Sequence, residues 1–281
     1  MAGFISPKYT LSGELRLKRP LKVLFQYGLL ITSTIVLFSC SYFFLPGIDL
    51  KEGSKLRVGD PGLDNMEYAA LLSADGWPAD TLNTAVSADF LDDDEKNLVL
   101  AHNLVRYDPA KFARLYVTEY ISYFKGKEFH YPDIEPILLT MEGKEPAVEL
   151  FYELLRWEGA GLLVPSEGLS EAAASHARYI CELGIRGHGG QGGMRARIER
   201  YGTWERKIAE NISYGNFSAH DAIMYMLIDD QVFERSHRKI IMDPDFVYIG
   251  VAKDLHPRYP TGYTYVINYA RMFREYPDDN E

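Results

Sequence analysis

From Val23 through Ile48 the chain carries no charged side chain. A helix over that stretch is long enough to cross the roughly 30 Å of hydrocarbon in a bilayer, so the run predicts one N-terminal transmembrane helix centred on residues 23–46. Residues 1–22 hold Lys8, Arg16, Lys18, Arg19 and Lys22 against Glu14, whereas Asp49, Lys51 and Glu52 follow the run. Positive flanks stay on the cytoplasmic side, which predicts a cytoplasmic basic N-terminus, a single N-in/C-out span and an extracytoplasmic bulk. A second reading uses the same residues: Leu37-Phe38-Ser39-Cys40 resembles a loose lipoprotein signal, with Cys40 as the lipidated residue. Phe38 is bulky for such a site and the apolar stretch continues through Tyr42–Leu45, so the uncleaved anchor is the favoured reading. Both readings attach the protein to a membrane.

The remainder of the chain has its own charge. From Gly47 onward there are 25 basic and 39 acidic residues, a formal balance of −14 with histidine neutral. That field repels nucleic-acid phosphate, and no basic stripe interleaved with aromatics overrides it, so nucleic acid is excluded as a partner. The chain has two cysteines, and Cys40 lies within the apolar run, so the exported part closes no disulfide of its own. Stability must come from packing, with Cys181 on an apolar helix face as filler.

Residues 47–92 mix Gly, Asp, Pro and Ser with short apolar pieces and read as a linker holding one helix. From Asp93 the apolar residues recur at helical spacing through Leu98, Ala101 and Val105. Pro109 opens a second helix carrying Phe112, Tyr116 and Tyr120. A helix is predicted over Glu145–Trp157. Another, capped by Ser170, turns Ala173, His176, Ala177, Ile180 and Cys181 inward and stops near Gly184. Ser218 and Asp221 start the next helix as a capping box. The β-branched and aromatic runs at 246–252 and 263–270 predict an antiparallel pair. Helices followed by a small sheet predict an α+β domain of α-β-α layers.

Seven stretches, in order, carry a resemblance: AHNLVRYDPAKFA (101–113), EGLSEAAASHA (167–177), GIRGHGG (184–190), RIERYG (197–202), ENISYG (210–215), RSHRKIIMDPDFVYIGVA (235–252) and YVINYA (265–270). Together they are similar to the bacterial branch of the CAP superfamily of cysteine-rich secretory, antigen 5 and pathogenesis-related proteins, also called SCP-like. The resemblance implies a domain over 93–275, with 276–281 a tail, and an α-β-α sandwich around a small three-stranded antiparallel sheet. It further implies a cleft presenting two histidines and two acids. Carried over by position, these are His188, Glu210, Asp229 and His237, with Asp230 left open as the alternative to its neighbour. Ala209 stands where the family usually has Gly, and the cysteine framework of the eukaryotic members is missing.

If the four converge, imidazole nitrogen and carboxylate oxygen suit a divalent metal, zinc above all, with a position left for water. Without metal, a histidine and a carboxylate form an acid/base pair near neutral pH. The bland readings are a core histidine for His176, which shares its helix's apolar face, and a polar network among His102, Asn103 and Arg106. Two functions from different classes follow. One is a binding module for a lipid, peptide or cell-envelope component, with a metal in its cleft. The other is a metal- or histidine-dependent hydrolase with His188, Glu210, Asp229 and His237 as its catalytic candidates. No His-Glu-x-x-His helix, Gly-x-Ser-x-Gly elbow or Walker loop accompanies them.

Overall fold

The computed structural model describes residues 62–131, 137–259 and 262–277. Among them no helix is long and apolar enough to cross a membrane. The expected anchor at 23–46, with Cys40, lies outside the described residues.

The chain enters through α1 (Asn65–Ala74) and α2 (Ala79–Leu82), then the longer α3 (Asp93–Tyr107). The segment expected to be a linker is part of the fold from its first helix onward. Leu72, Trp77, Leu82 and Leu91 are buried. Three asparagines stitch it to α3: Asn83 Nδ2 donates to Asn65 Oδ1 (2.7 Å), Asn65 Nδ2 to Asn97 Oδ1 (2.9 Å), and Asn97 Nδ2 to the Leu63 carbonyl (2.8 Å). Its Gly, Asp and Pro residues mark turns between short helices that rely on α3 for burial.

α3 starts at a true capping box, with Asp92 and Glu95 bonding each other's backbone N–H. Pro109 opens α4 (Pro109–Phe112), which runs through a π-helical turn (Ala113–Val117) into α5 (Thr118–Ser122). A small antiparallel sheet follows, of β1 (Phe124–Lys125), β2 (Glu128–Phe129) and β3 (Leu138–Leu139). Next come α6 (Glu145–Leu154), β4 (Val164–Pro165) and α7 (Glu167–Leu183). α7 is capped by Ser166, one turn before the expected Ser170. Ser170 lies inside the first turn, and its hydroxyl donates to the Ser166 carbonyl while accepting from Val251 N–H. Gly184, at φ 61°, ends α7 where expected, in the left-handed conformation glycine adopts without cost. The rest runs α8 (Gly193–Ile198), β5 (Gly202–Asn216), α9 (Ala219–Ile228), α10 (Ser236–Ile241), β6 (Tyr248–Leu255) and β7 (Tyr263–Glu275).

The main sheet has the order β4-β6-β7-β5. β6 and β5 both pair antiparallel with β7, and the two-residue β4 adds a parallel edge to β6. The three antiparallel strands are as expected; the fourth strand and the separate small sheet are additions. Alternation along β7 sends Val266 and Ala270 to one face, under α7, and Tyr269 to the other, under α3. On the first face Ala172, Ala173 and Ala177 let α7 approach the sheet closely. At the closest point a Cβ on Gly250 of β6 would lie 2.1 Å from the Leu169 carbonyl carbon. On the second face His102 Nε2 accepts from Tyr269 OH (2.8 Å). Arg106, wholly buried, donates to the carbonyls of Gly161, Ile241, Asp243 and Phe246. Burial lowers the His102 pKa to about 4, which keeps the imidazole neutral at physiological pH.

Gly250→Ala should therefore be costly out of proportion to its one methyl group, because helix backbone cannot step aside as a side chain can. A loss of about 1–3 kcal/mol or more is expected in urea unfolding of a fragment starting at Leu50. An unchanged midpoint would show that α7 is not seated on β6 in this way.

Candidate functional site

The four expected residues form two hydrogen-bonded pairs, His188 with Glu210 and Asp229 with His237. His188 lies in the glycine-rich loop between α7 and α8, and its Nδ1–H donates to Glu210 Oε1 at 2.8 Å. The imidazole is 55% exposed and the carboxylate 1%. A carboxylate that deep needs compensation, and Arg197, on α8 and fully buried, supplies it. Its Nη2 donates to both Glu210 oxygens (2.8 and 2.7 Å), and its Nη1 to the carbonyls of His188 and Gly190 (3.3 and 3.2 Å). Burial pushes the Glu210 pKa up, but the hydrogen bonds from His188 and Arg197 and the guanidinium charge outweigh it. The carboxyl is held below its ordinary range.

The same loop is tied from beneath. His176 is wholly buried and its Nε2–H donates to the Gly187 carbonyl (3.0 Å), while Gly187 N–H donates to Tyr214 OH (2.8 Å). Burial lowers the His176 pKa. The expected core role of His176 thus carries a position: it supports the residue before His188.

The second pair is tied to β5 through Asn211, whose Nδ2 donates to the His237 carbonyl and to Tyr269 OH (both 3.3 Å). Asp229 follows the end of α9 at Ile228 in a left-handed conformation (φ 61°). That turn aims its carboxylate back at the start of α10. Asp229 Oδ1 accepts from His237 Nδ1–H at 2.6 Å and Oδ2 from His237 N–H at 2.9 Å. Asp230 does not bond His237 but accepts from the backbone N–H groups of Met141 and Glu142 (2.8 and 2.9 Å), and it lines the same cavity as Asp229. Arg235 and Arg238 fix the turn by ion pairs to Glu142, Glu149 and Glu153, so these cations are structural.

His237 and Asp229 line a cavity of about 370 Å³, which His188 and Glu210 do not reach. Its walls are mostly apolar, with Phe129, Leu138, Tyr214, Tyr225, Met226 and Ile228 among them, and Arg186 at one side. With Nδ1 turned to Asp229, His237 has Nε2 left to accept a proton or a ligand hydrogen bond. The two aliphatic hydroxyls on the wall are engaged: Ser213 donates to Asn216 Oδ1 (2.8 Å) and Thr140 to the Lys127 carbonyl (2.7 Å). Neither the cavity nor Arg197 was anticipated from the sequence. The lining comes from separate segments, and Arg197 reads as one of several arginines in GGMRARIERYG.

A metal held by all four residues does not fit this arrangement. Both Glu210 oxygens face Arg197, both Asp229 oxygens face His237, and among the described residues no three His, Cys, Asp or Glu side chains are grouped to hold an ion.

A family model described as the cysteine-rich secretory protein family, CAP, matches residues 101–269, more than half of the chain. A crystal structure of an extracellular protein containing an SCP domain, from Bacillus anthracis str. Ames, is similar at 18% identity with a TM-score of 0.32. The likeness covers 40% of this chain and 35% of that one. No curated protein matches.

Removing Arg197 alone strands a buried carboxylate. Arg197→Leu should cost about 3–5 kcal/mol, and most of that should return when Glu210→Leu is added. In the parent, a carboxyl with a lowered folded-state pKa contributes stability above its unfolded pKa and loses it as the pH falls through the folded one. Acid unfolding should therefore contain an Arg197-dependent component below the ordinary carboxylate range. Denaturant midpoints of the two variants, measured across that range, check both expectations.

Proposed function

The chain belongs to the cysteine-rich secretory protein (CAP) family, and from that premise we propose that it is a membrane-attached, extracytoplasmic binding module whose ligand occupies the cavity beside His237. The observation that carries this reading is the cavity itself. A largely apolar space with few polar groups is the usual form of a small-ligand site, and here a carboxylate-oriented imidazole supplies direction. The cavity favours the apolar part of a lipid, a peptide or another envelope component. The uncharged run at Val23–Ile48 supports membrane attachment with the domain outside.

A hydrolase is the second reading, favoured by one feature. Asp229 fixes the His237 tautomer as a general base requires, which leaves Nε2 free to activate water. The aliphatic hydroxyls on the wall are committed elsewhere, so water is the nucleophile this geometry supports. Metal enters neither reading as a necessary part.

The binding reading predicts that a fragment starting at Leu50 takes up an apolar fluorophore such as anilinonaphthalene sulfonate at one site. Leu138→Asp, which places a charge on the wall, should weaken it roughly tenfold or more. Equal affinity in parent and variant would contradict the reading. Zinc calorimetry on the same fragment should give no site lost in both His188→Ala and His237→Ala. A jointly dependent site would mean that the two pairs close on a metal. Ester or peptide turnover that vanishes in His237→Ala but survives in His188→Ala would move the conclusion to the hydrolase.

A further inference from the structure

Two segments meet at the mouth of the cavity and hold large apolar side chains in water. Leu139, on β3, is 80% exposed, Met141 56%, and Phe233, between α9 and α10, 79%. The segments are clamped together, since Asp230 accepts from the N–H groups of Met141 and Glu142, and Gln231 N–H donates to Glu142 Oε1 (2.8 Å). Leu139 and Val232, on either side of that clamp, line the cavity. The exposed side chains therefore form one apolar lip on a braced backbone. A contiguous lip joined to an apolar cavity marks a contact surface, unlike single exposed leucines.

Chain length and charge point to what lies against it. The uncharged run ends at Ile48 and the described residues begin at Gly62. The residues between them span at most about 45 Å when fully extended, so a bilayer that held the run would keep residue 62 within that distance of its surface. Charges beside the lip nearly balance. Lys125, Lys127 and Lys144 are exposed near Glu128 and Glu145, Glu142 is paired with Arg235, and the acids of the second segment are exposed Glu234 and the clamping Asp230. With charges of both signs so close to even, the lip has no strong net field to repel it from a lipid surface or to draw it to a charged protein.

We propose that Leu139, Met141 and Phe233 insert into the surface of a lipid bilayer, so that the cavity opens against the membrane. The inference rests on the reading of the chain as a membrane-attached binding module. Insertion by leucine, methionine and phenylalanine is driven by apolar burial, which makes it largely insensitive to salt and independent of anionic lipid.

The test uses the full chain reconstituted in phosphatidylcholine vesicles, with and without bromine on the acyl chains, and reads tryptophan emission. Phe233→Trp should lose a larger share of its emission to brominated lipid than the parent does. Met272→Trp should not, because Met272 pairs with Glu205, at the far end of β5 from the cavity. Adding Leu139→Asp to Phe233→Trp should return quenching to the parent level, and 0.5 M salt should leave it in place. A chain that floats with the vesicles but shows no extra quenching overturns the insertion while leaving the membrane attachment standing. Failure to float overturns the attachment and the insertion with it. Quenching abolished by salt would make the contact electrostatic and contradict the proposal. So would a blue shift in Phe233→Trp that grows with protein density without quenching, which assigns the lip to a second copy.

Discussion

The buried pair between Arg197 and Glu210 sets the position of the loop that carries His188. Two charges taken out of water gain little net stability against apolar packing, but neither tolerates the loss of the other. The guanidinium therefore has one acceptable place, across both carboxylate oxygens, and from there its other nitrogen reaches the carbonyls of His188 and Gly190. The loop that carries His188 is glycine-rich and would otherwise have wide conformational freedom. The ion pair removes much of that freedom, and His176 and Tyr214 remove more at Gly187. His188 ends up half in water with its Nδ1 directed inward at a charge that is already balanced.

The other pair rests on backbone geometry. Asp229 terminates α9 in a left-handed turn, and its two oxygens accept from the side chain and the main chain of His237. Both Arg235 and Arg238 brace that turn against α6, and Asp230 clamps it to the segment after β3. The same bracing shapes the cavity wall, so the imidazole and the apolar surface beside it are held by one set of contacts. His237 lines the cavity and His188 does not, although the two histidines are alike in their bonding to an acid.

Helices carried by strong apolar periodicity were legible in the sequence, as were the strand pair near the C-terminus and the stop at Gly184. β5 was not. Its run TWERKI is charged because it lies at the sheet edge, and its register shifts against β7 between Glu205 and Ile208, where Arg206 takes a positive φ. The helices at 65–82 were hidden for another reason: they are short and depend on α3, so their composition resembles a linker. Position within the family pattern gave two histidines and two acids in one cleft, yet could not show that each histidine bonds one acid and that Arg197 takes up the rest of Glu210.

The account stands on the independence of the two pairs, with His237 alone facing the cavity. The imidazole Nδ1–H resonances of both histidines, assigned with His188→Ala and His237→Ala and followed in Glu210→Gln, test it directly. Replacing the charged acceptor by a neutral amide should move the His188 signal strongly upfield or lose it to exchange, while the His237 signal, held by Asp229, stays where it is. A His237 resonance that moves together with that of His188 would mean that the four residues form one coupled site, and would contradict the structure described.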